Sequence, residues 1–165
     1  MGTMEIRIDD LSGPEIAGLL QEHVDDMRRT SPPESTHVLE LDELRKPEIT
    51  FWCCWNGDRI AGCGALKELS ADHAEIKSMR TAAEFRRQGV GNKILQHMLE
   101  YAKGKGHSRV SLETGSMEFF DAAQKLYLNA GFEVCGPFAD YVEDPNSIYM
   151  TMEIGGESNS QIWDF

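Results

Sequence analysis

Cationic residues are scarce in this chain: Lys and Arg number 16 against 28 Asp and Glu, a net charge of −12. A field of that sign repels phosphate backbones, so nucleic-acid binding is not expected, and a cationic partner is favoured. Long apolar runs are missing too. No stretch approaches the roughly 20 apolar residues of a spanning helix, so no membrane segment is expected. The opening residues Met1 to Glu5 carry no basic n-region and no apolar h-region, and no secretory signal is expected. Cysteine is sparse: Cys53, Cys54, Cys63 and Cys135, with no C-x-x-C. Neither a zinc set, another metal site nor a disulfide scaffold is expected from such spacing. Cys53 and Cys54, neighbours on an expected strand, should point to opposite faces. The four read as buried small hydrophobes in a reducing cytoplasm. A nucleophilic Cys54 or Cys63 would need an adjacent base, and the sequence identifies none.

What is present suffices for one domain with a core: 165 residues, 41% of them hydrophobic. Met4–Ile8 alternates as a strand does. Ser12, Pro14 and Glu15 form a helix start, with Ser12 as cap. Ile16, Leu19, Leu20, His23, Val24 and Met27 then recur at helical spacing, up to Ser31-Pro32-Pro33. A short helix is expected from about Val38 to Arg45. The β-rich run Ile49–Trp55, the hairpin signal Asn56-Gly57, and strands at Arg59–Leu66 and Ala74–Thr81 predict an antiparallel meander. Val90, Ile94, Leu95, Met98, Leu99 and Ala102 mark an amphipathic helix. A strand at 109–113 follows. A helix through Ala123, Leu126 and Tyr127 closes at Gly131. Strands at 132–138 and 147–153 complete the order β-α-α-β-β-β-α-β-α-β-β. The fold class is α/β, more fully an α+β mixed sheet of about seven strands with helices on both faces. Residues 1–154 are expected to form one domain and the Gly/Ser/Asn-rich 155–165 a flexible tail.

The most informative segment is Arg86-Arg87-Gln88-Gly89-Val90-Gly91-Asn92, between a strand and a helix. Two glycines let backbone N–H groups approach a ligand, at a helix N-terminus whose dipole favours negative charge. With two arginines beside them, these groups suit a pyrophosphate. No Gly-Lys-Ser/Thr follows, as a P-loop requires, and no third glycine completes a dinucleotide fingerprint.

The pattern R-x-x-G-x-G after a strand resembles the acetyl-CoA loop of the GNAT superfamily, the Gcn5-related N-acetyltransferases. Ala74–Thr81 is similar to that family's central strand. Ala123-x-x-Leu126-Tyr127-x-x-x-Gly131-Phe132 is similar to its second hallmark. The resemblance covers roughly residues 4–154 and extends to a subgroup of small bacterial N-acetyltransferases. It implies the GNAT fold and acetyl-CoA as co-substrate, with the pantetheine arm lying beside a splayed central strand like an added strand. By position, Met79 and Thr81 would offer backbone groups to pantetheine, and Arg86, Arg87, Gln88, Gly89, Val90, Gly91 and Asn92 would hold the pyrophosphate. The family often carries an asparagine where this chain has Phe120; Ser116 or Thr114 could replace its polar contact.

The implied activity is transfer of an acetyl group to a primary amine of a small molecule or peptide. Such transfer needs a base for the ammonium proton, a donor for the oxyanion and an acid for the departing thiolate. The resemblance points to Glu75 as base and Tyr127 as acid. Glu68, Asp72 and His73 compete for the first role, and Glu75 could instead be paired with Lys77 or Arg80. Candidates for the acceptor pocket are His37, Trp52, Trp55, Phe138, Asp140, Tyr141 and Glu143; of these, Trp52 and Phe138 read first as core packing, His37 as surface, and Asp140 and Glu143 equally as a solvated turn. The competing readings are a regulatory module that binds acyl-CoA without turnover and a purely structural interaction domain. A homodimer is the expected assembly if the chain self-associates.

Overall fold

The computed structural model describes residues 4–30, 41–116 and 118–154. The element order is β1 (Met4–Ile8), α1 (Pro14–Thr30), α2 (Leu41–Leu44), β2 (Ile49–Asn56), β3 (Arg59–Ser70), β4 (His73–Thr81), α3 (Val90–Gly104), β5 (Arg109–Gly115), α4 (Asp121–Ala130), β6 (Glu133–Cys135) and β7 (Ser147–Glu153). This is the order the sequence predicts. Three local expectations change. Ser12 does not cap α1: no described helix amide donates to its oxygen, and its hydroxyl donates to Asp10 Oδ1 at 2.6 Å. β3 runs on to Ser70, where it pairs with His73 across the expected turn. β6 stops at Cys135, since Gly136-Pro137 follows and proline has no N–H to give a ladder. His37, the start of the expected second helix and the tail from residue 155 lie outside the described residues.

The strands form one seven-stranded sheet in the order β1-β2-β3-β4-β5-β7-β6. Only β4 and β5 run parallel, joined by the crossover through α3; all other pairs are antiparallel. The sheet is apolar on both faces. One core holds Ile94, Leu95 and Met98 of α3 with Leu112, Tyr127 and Phe132. The other holds Ile16, Leu19 and Leu20 of α1 with Leu44 and Phe51. Cys54 belongs to the first and Cys53 to the second, as alternation requires. All four cysteines are free; Cys53, Cys54 and Cys63 are buried as expected, whereas Cys135, at the end of the short outer strand β6, is half-buried. Burial pushes the Cys63 thiol up to about 12 and raises that of Cys54, so neither is a poised thiolate.

The β4/β5 ladder ends at Ile76↔Leu112. Beyond it, β4 stays paired with β3 through Thr81, and β5 stays paired with β7 through Gly115. The two inner edges therefore diverge. The register gives a local cause: Ala65 opposes Lys77 and Cys63 opposes Arg80, so Ser78 and Met79 face Gly64 alone. This is a β-bulge, with Ser78 at a φ of 57°, and a bulge bends its strand.

Glycines let α3 lie close on β3. A Cβ at Gly62 would sit 2.8 Å from the Arg80 carbonyl oxygen and 2.8 Å from Val90 Cγ1. Gly62→Ala should therefore destabilise by about 1–3 kcal/mol, as overpacked cores do. Gly104→Ala, where an added Cβ meets nothing within 4 Å, should cost nothing. Urea unfolding of the two variants checks this; equal midpoints would contradict the close approach.

Candidate active site

The loop leaving β4 is built to present backbone. Phe85 is buried and anchors a single 3-10 turn at Ala83–Phe85. Arg87 (φ 64°) and Gly89 (φ 81°) then take left-handed conformations, uncommon for the arginine and free for the glycine. Gly89 stands at the N-cap of α3 without a side-chain cap, so the first amides of the helix have no side-chain partner there. A Cβ at Gly89 would meet nothing within 4 Å, which leaves open space before those amides. Arg86, Arg87, Gln88 and Asn92 are exposed, and neither arginine forms an ion pair with a described residue. The Gln88 amide donates to the Glu84 carbonyl at 3.2 Å. Val90 is 2% exposed and offers only backbone. Gly91 has a different task from Gly89: a Cβ there would lie 3.2 Å from Leu126 Cδ2, so its bareness lets α4 pack on α3.

Where β4 and β5 part, a cavity opens. Its walls include His23 of α1, Glu75, Lys77 and Met79 of β4, Glu113 and Thr114 of β5, Phe120, Tyr127 of α4, and Tyr141. Glu75 is 2% exposed. Its Oε2 accepts the Tyr141 hydroxyl at 2.6 Å and the Lys77 ammonium at 3.1 Å, while Lys77 also donates to the Tyr141 oxygen at 2.9 Å. No described residue hydrogen-bonds Oε1. The expected pairing of Glu75 with Lys77 is thus present, and it occupies one oxygen only. Arg80 is engaged elsewhere, bound to Asp26 at 2.6 Å and Glu22 at 3.0 Å, which ties α1 to the outer half of β4.

Tyr127 sits at the other side of the cavity. A paired cap fixes its turn of helix: Phe132 N–H donates to the Tyr127 carbonyl at 3.0 Å and Gly131 N–H to that of Leu128 at 3.1 Å, with Gly131 left-handed. The ring meets Phe132 edge-on. Its hydroxyl has no hydrogen-bond partner among the described residues, and burial pushes the phenol up, so it stays protonated.

The competing bases do not reach the cavity. Glu68 and Asp72 are exposed at the far end of the hairpin. His73 is held by Ser111 Oγ at 2.7 Å and faces the Phe138 ring; burial and then Arg109 push its pKa down. Among the expected acceptor residues, Tyr141 lines the cavity and Phe138 packs on it. Trp52 does not: it is 1% exposed in the α3-side core, edge-on to Tyr101 and His97. Trp55 packs near Arg7, and Asp140 and Glu143 are exposed outside the cavity walls. Phe120 lies on Gly115, where a Cβ would fall 2.1 Å from its ring. The Ser116 hydroxyl is committed to the Pro145 carbonyl, which leaves Thr114 as the polar group in that wall.

Two wall residues escaped the sequence reading. His23 has the helical spacing of its apolar neighbours and reads as core, yet it faces the cavity. Burial and the Arg80 charge push its pKa down to about 4, so it is neutral near pH 7. Glu113 has no motif around it; it lines the cavity and accepts the Ser147 hydroxyl at 2.7 Å.

Comparison with known proteins agrees with this geometry. The Acetyltransferase (GNAT) family matches residues 16–132. The uncharacterized N-acetyltransferase YsnE of Bacillus subtilis is 56% identical over 151 residues, 92% of this chain and all of that one. The uncharacterized N-acetyltransferase YedL of Escherichia coli is 46% identical over 149 residues, 90% of this chain and 94% of that one. The crystal structure of a GNAT family acetyltransferase from Elizabethkingia anophelis with acetyl-CoA bound superposes with a TM-score of 0.64 at 20% identity, covering 91% and 97%. The chain belongs to the GNAT family of acetyltransferases and is an N-acetyltransferase that takes its acetyl group from acetyl-CoA.

Proposed function

We propose that the cavity between β4 and β5 is where the transfer occurs, with Glu75 as general base and Tyr127 as general acid. The observation that carries this is their convergence: a buried carboxylate, one oxygen of which no described residue hydrogen-bonds, and a buried phenol that none hydrogen-bonds line the same cavity. The residues present also fit acetyl-CoA. Among the described residues, no strand pairs with the inner edge of β4 beyond Ile76, so the backbone of Met79 and Thr81 can pair with the pantetheine amides. The uncapped α3 N-terminus, the open space at Gly89, and Arg86 and Arg87 suit the pyrophosphate; Gln88, Val90, Gly91 and Asn92 complete that loop.

Acetyl-CoA supplies the thioester that the acceptor amine attacks and the thiolate that leaves. Glu75 Oε1 takes the ammonium proton of the acceptor, which makes the nitrogen a nucleophile. The Tyr127 hydroxyl, kept protonated by burial, gives its proton to the departing sulfur, and the proton the nitrogen sheds on becoming an amide restores the phenol. His23, neutral near pH 7, leaves Lys77 as the cation among the wall residues named above, and Glu75 and Glu113 as the carboxylates. That balance favours an acceptor arriving as an ammonium ion, in a small molecule or a peptide.

Three variants test the assignment. Gly89→Glu should abolish measurable CoA binding by titration, because it puts bulk and negative charge before the α3 amides. Gly89→Ala shares the backbone strain of about 1–2 kcal/mol without the charge, and should keep most of the affinity. Undiminished CoA affinity in Gly89→Glu rejects the loop as the pyrophosphate site. Tyr127→Phe removes only a hydroxyl, so CoA affinity should hold while kcat falls by about 10²–10⁴-fold. A kcat within a factor of about three of the parent would assign Tyr127 to packing.

Glu75→Gln should act according to the acceptor. An amine of low pKa arrives neutral and should react nearly as well with the variant. An alkylamine should lose heavily at pH 7, and the loss should shrink as pH rises and solvent deprotonates more of the amine. Profiles of kcat/KM against pH for both acceptors decide it. An equal loss for both at every pH would move Glu75 to a structural role.

A further inference from the structure

The Tyr141–Glu75 contact joins residues far apart in sequence, and the general base alone does not explain it. Tyr141 belongs to the loop between β6 and β7. Phe138 and Tyr149 hold its ring at centroid distances of 5.1 and 5.5 Å. A turn closed by Tyr141 N–H to the Phe138 carbonyl, with Ala139 left-handed, aims the ring inward. Its hydroxyl then donates to Glu75 Oε2 at 2.6 Å, and Lys77 donates to both oxygens of that contact. Two donors on one carboxylate oxygen fix the rotation of the group, since a carboxylate can turn freely about its last bond unless its oxygens are held. The oxygen left over is Oε1.

We propose that Tyr141 is a positioning residue for Glu75: with Lys77 it clamps Oε2, so that Oε1 is presented to the acceptor, and the loop between β6 and β7 is thereby coupled to the base. The proposal rests on the reading of Glu75 as base. Other titratable groups facing this region are His73 on the same strand, Glu113 on β5, His23 on α1, Tyr127 on α4 and Tyr149 on β7. Among the described residues, none of these groups hydrogen-bonds Glu75. Burial and the adjacent Glu75 charge push the Tyr141 phenol up, so it remains a donor across the working pH range.

The loop has a second anchor that serves as a control. The Tyr149 hydroxyl donates to the Val142 carbonyl at 2.8 Å and does not touch Glu75. Tyr141→Phe and Tyr149→Phe each delete one hydroxyl and one tie to the loop. Only the first removes a donor from the base.

The experiment measures kcat/KM for the alkylamine and the low-pKa amine in Tyr141→Phe, Tyr149→Phe, Glu75→Gln and the two double variants. Tyr141→Phe should lower kcat/KM for the alkylamine at pH 7 by about tenfold or more, the scale of a hydrogen bond to a charged group. It should spare the low-pKa amine and leave the KM for acetyl-CoA unchanged. In the Glu75→Gln background the same substitution should cost almost nothing. Tyr149→Phe should have a smaller effect, the same in both backgrounds. A Tyr141→Phe loss that is equal for both amines, equal in both backgrounds, or matched by Tyr149→Phe overturns the clamp. Glu75→Gln at the parent rate overturns the base assignment and this proposal with it. A large alkylamine-selective loss in Glu75→Gln beside an unaffected Tyr141→Phe overturns the clamp alone.

Discussion

Beyond Ile76 and Leu112, β4 and β5 keep their outer partners and lose each other. The exposed inner edge of β4 and the cavity beside it both depend on that parting. A continuous ladder would satisfy the backbone of Lys77–Thr81 with β5, and no edge would remain for a ligand to pair with. The bulge at Ser78 and Met79 bends β4 away, and the bare Gly64 opposite gives Met79 room: a Cβ there would lie 2.9 Å from its sulfur. The same parting opens the cavity in which Glu75 and Tyr127 meet.

The charges are arranged around that gap on two scales. The chain as a whole is strongly acidic, yet the loop before α3 exposes two arginines without ion-pair partners among the described residues. A local basic site on an acidic surface selects an anion at one place and repels it elsewhere. Inside, each buried charge has a partner: Glu75 with Lys77, Arg80 with Asp26. Buried pairs add little net stability, because desolvation offsets their attraction, but they fix geometry. Here they fix the orientation of the Glu75 carboxylate and the seat of α1 against β4. For Asp26, burial opposes the charged form, and the hydrogen bond from Arg80 prevails and holds its carboxyl below the usual range.

The element order and the parallel crossover were legible because their signals are local. Period in α3, Asn56-Gly57 at the hairpin and Gly131 after α4 each report on a few neighbouring residues. The glycine-bearing loop before α3 was legible for the same reason. The cavity was less so, because it is assembled from long-range contacts. Tyr141 was expected in the acceptor pocket, but its bond to Glu75 spans 66 residues and has no spacing to betray it. His23 was hidden by its own regularity, since a polar residue at a helical core position reads as core. Trp52 reads first as core packing, and alternation along β2 places it in the α3-side core. Gly91 has a further reason to be glycine that no motif announces, the close approach of Leu126.

Amide hydrogen exchange with and without acetyl-CoA tests the central claim most directly, because the claim concerns which backbone edge the co-substrate covers. Protection should appear on the inner edge of β4 at Met79–Thr81 and over Gln88–Asn92, with little change in β1, β2 or β6. Protection confined to the outer strands, or none along β4 beyond Ile76, would contradict the account.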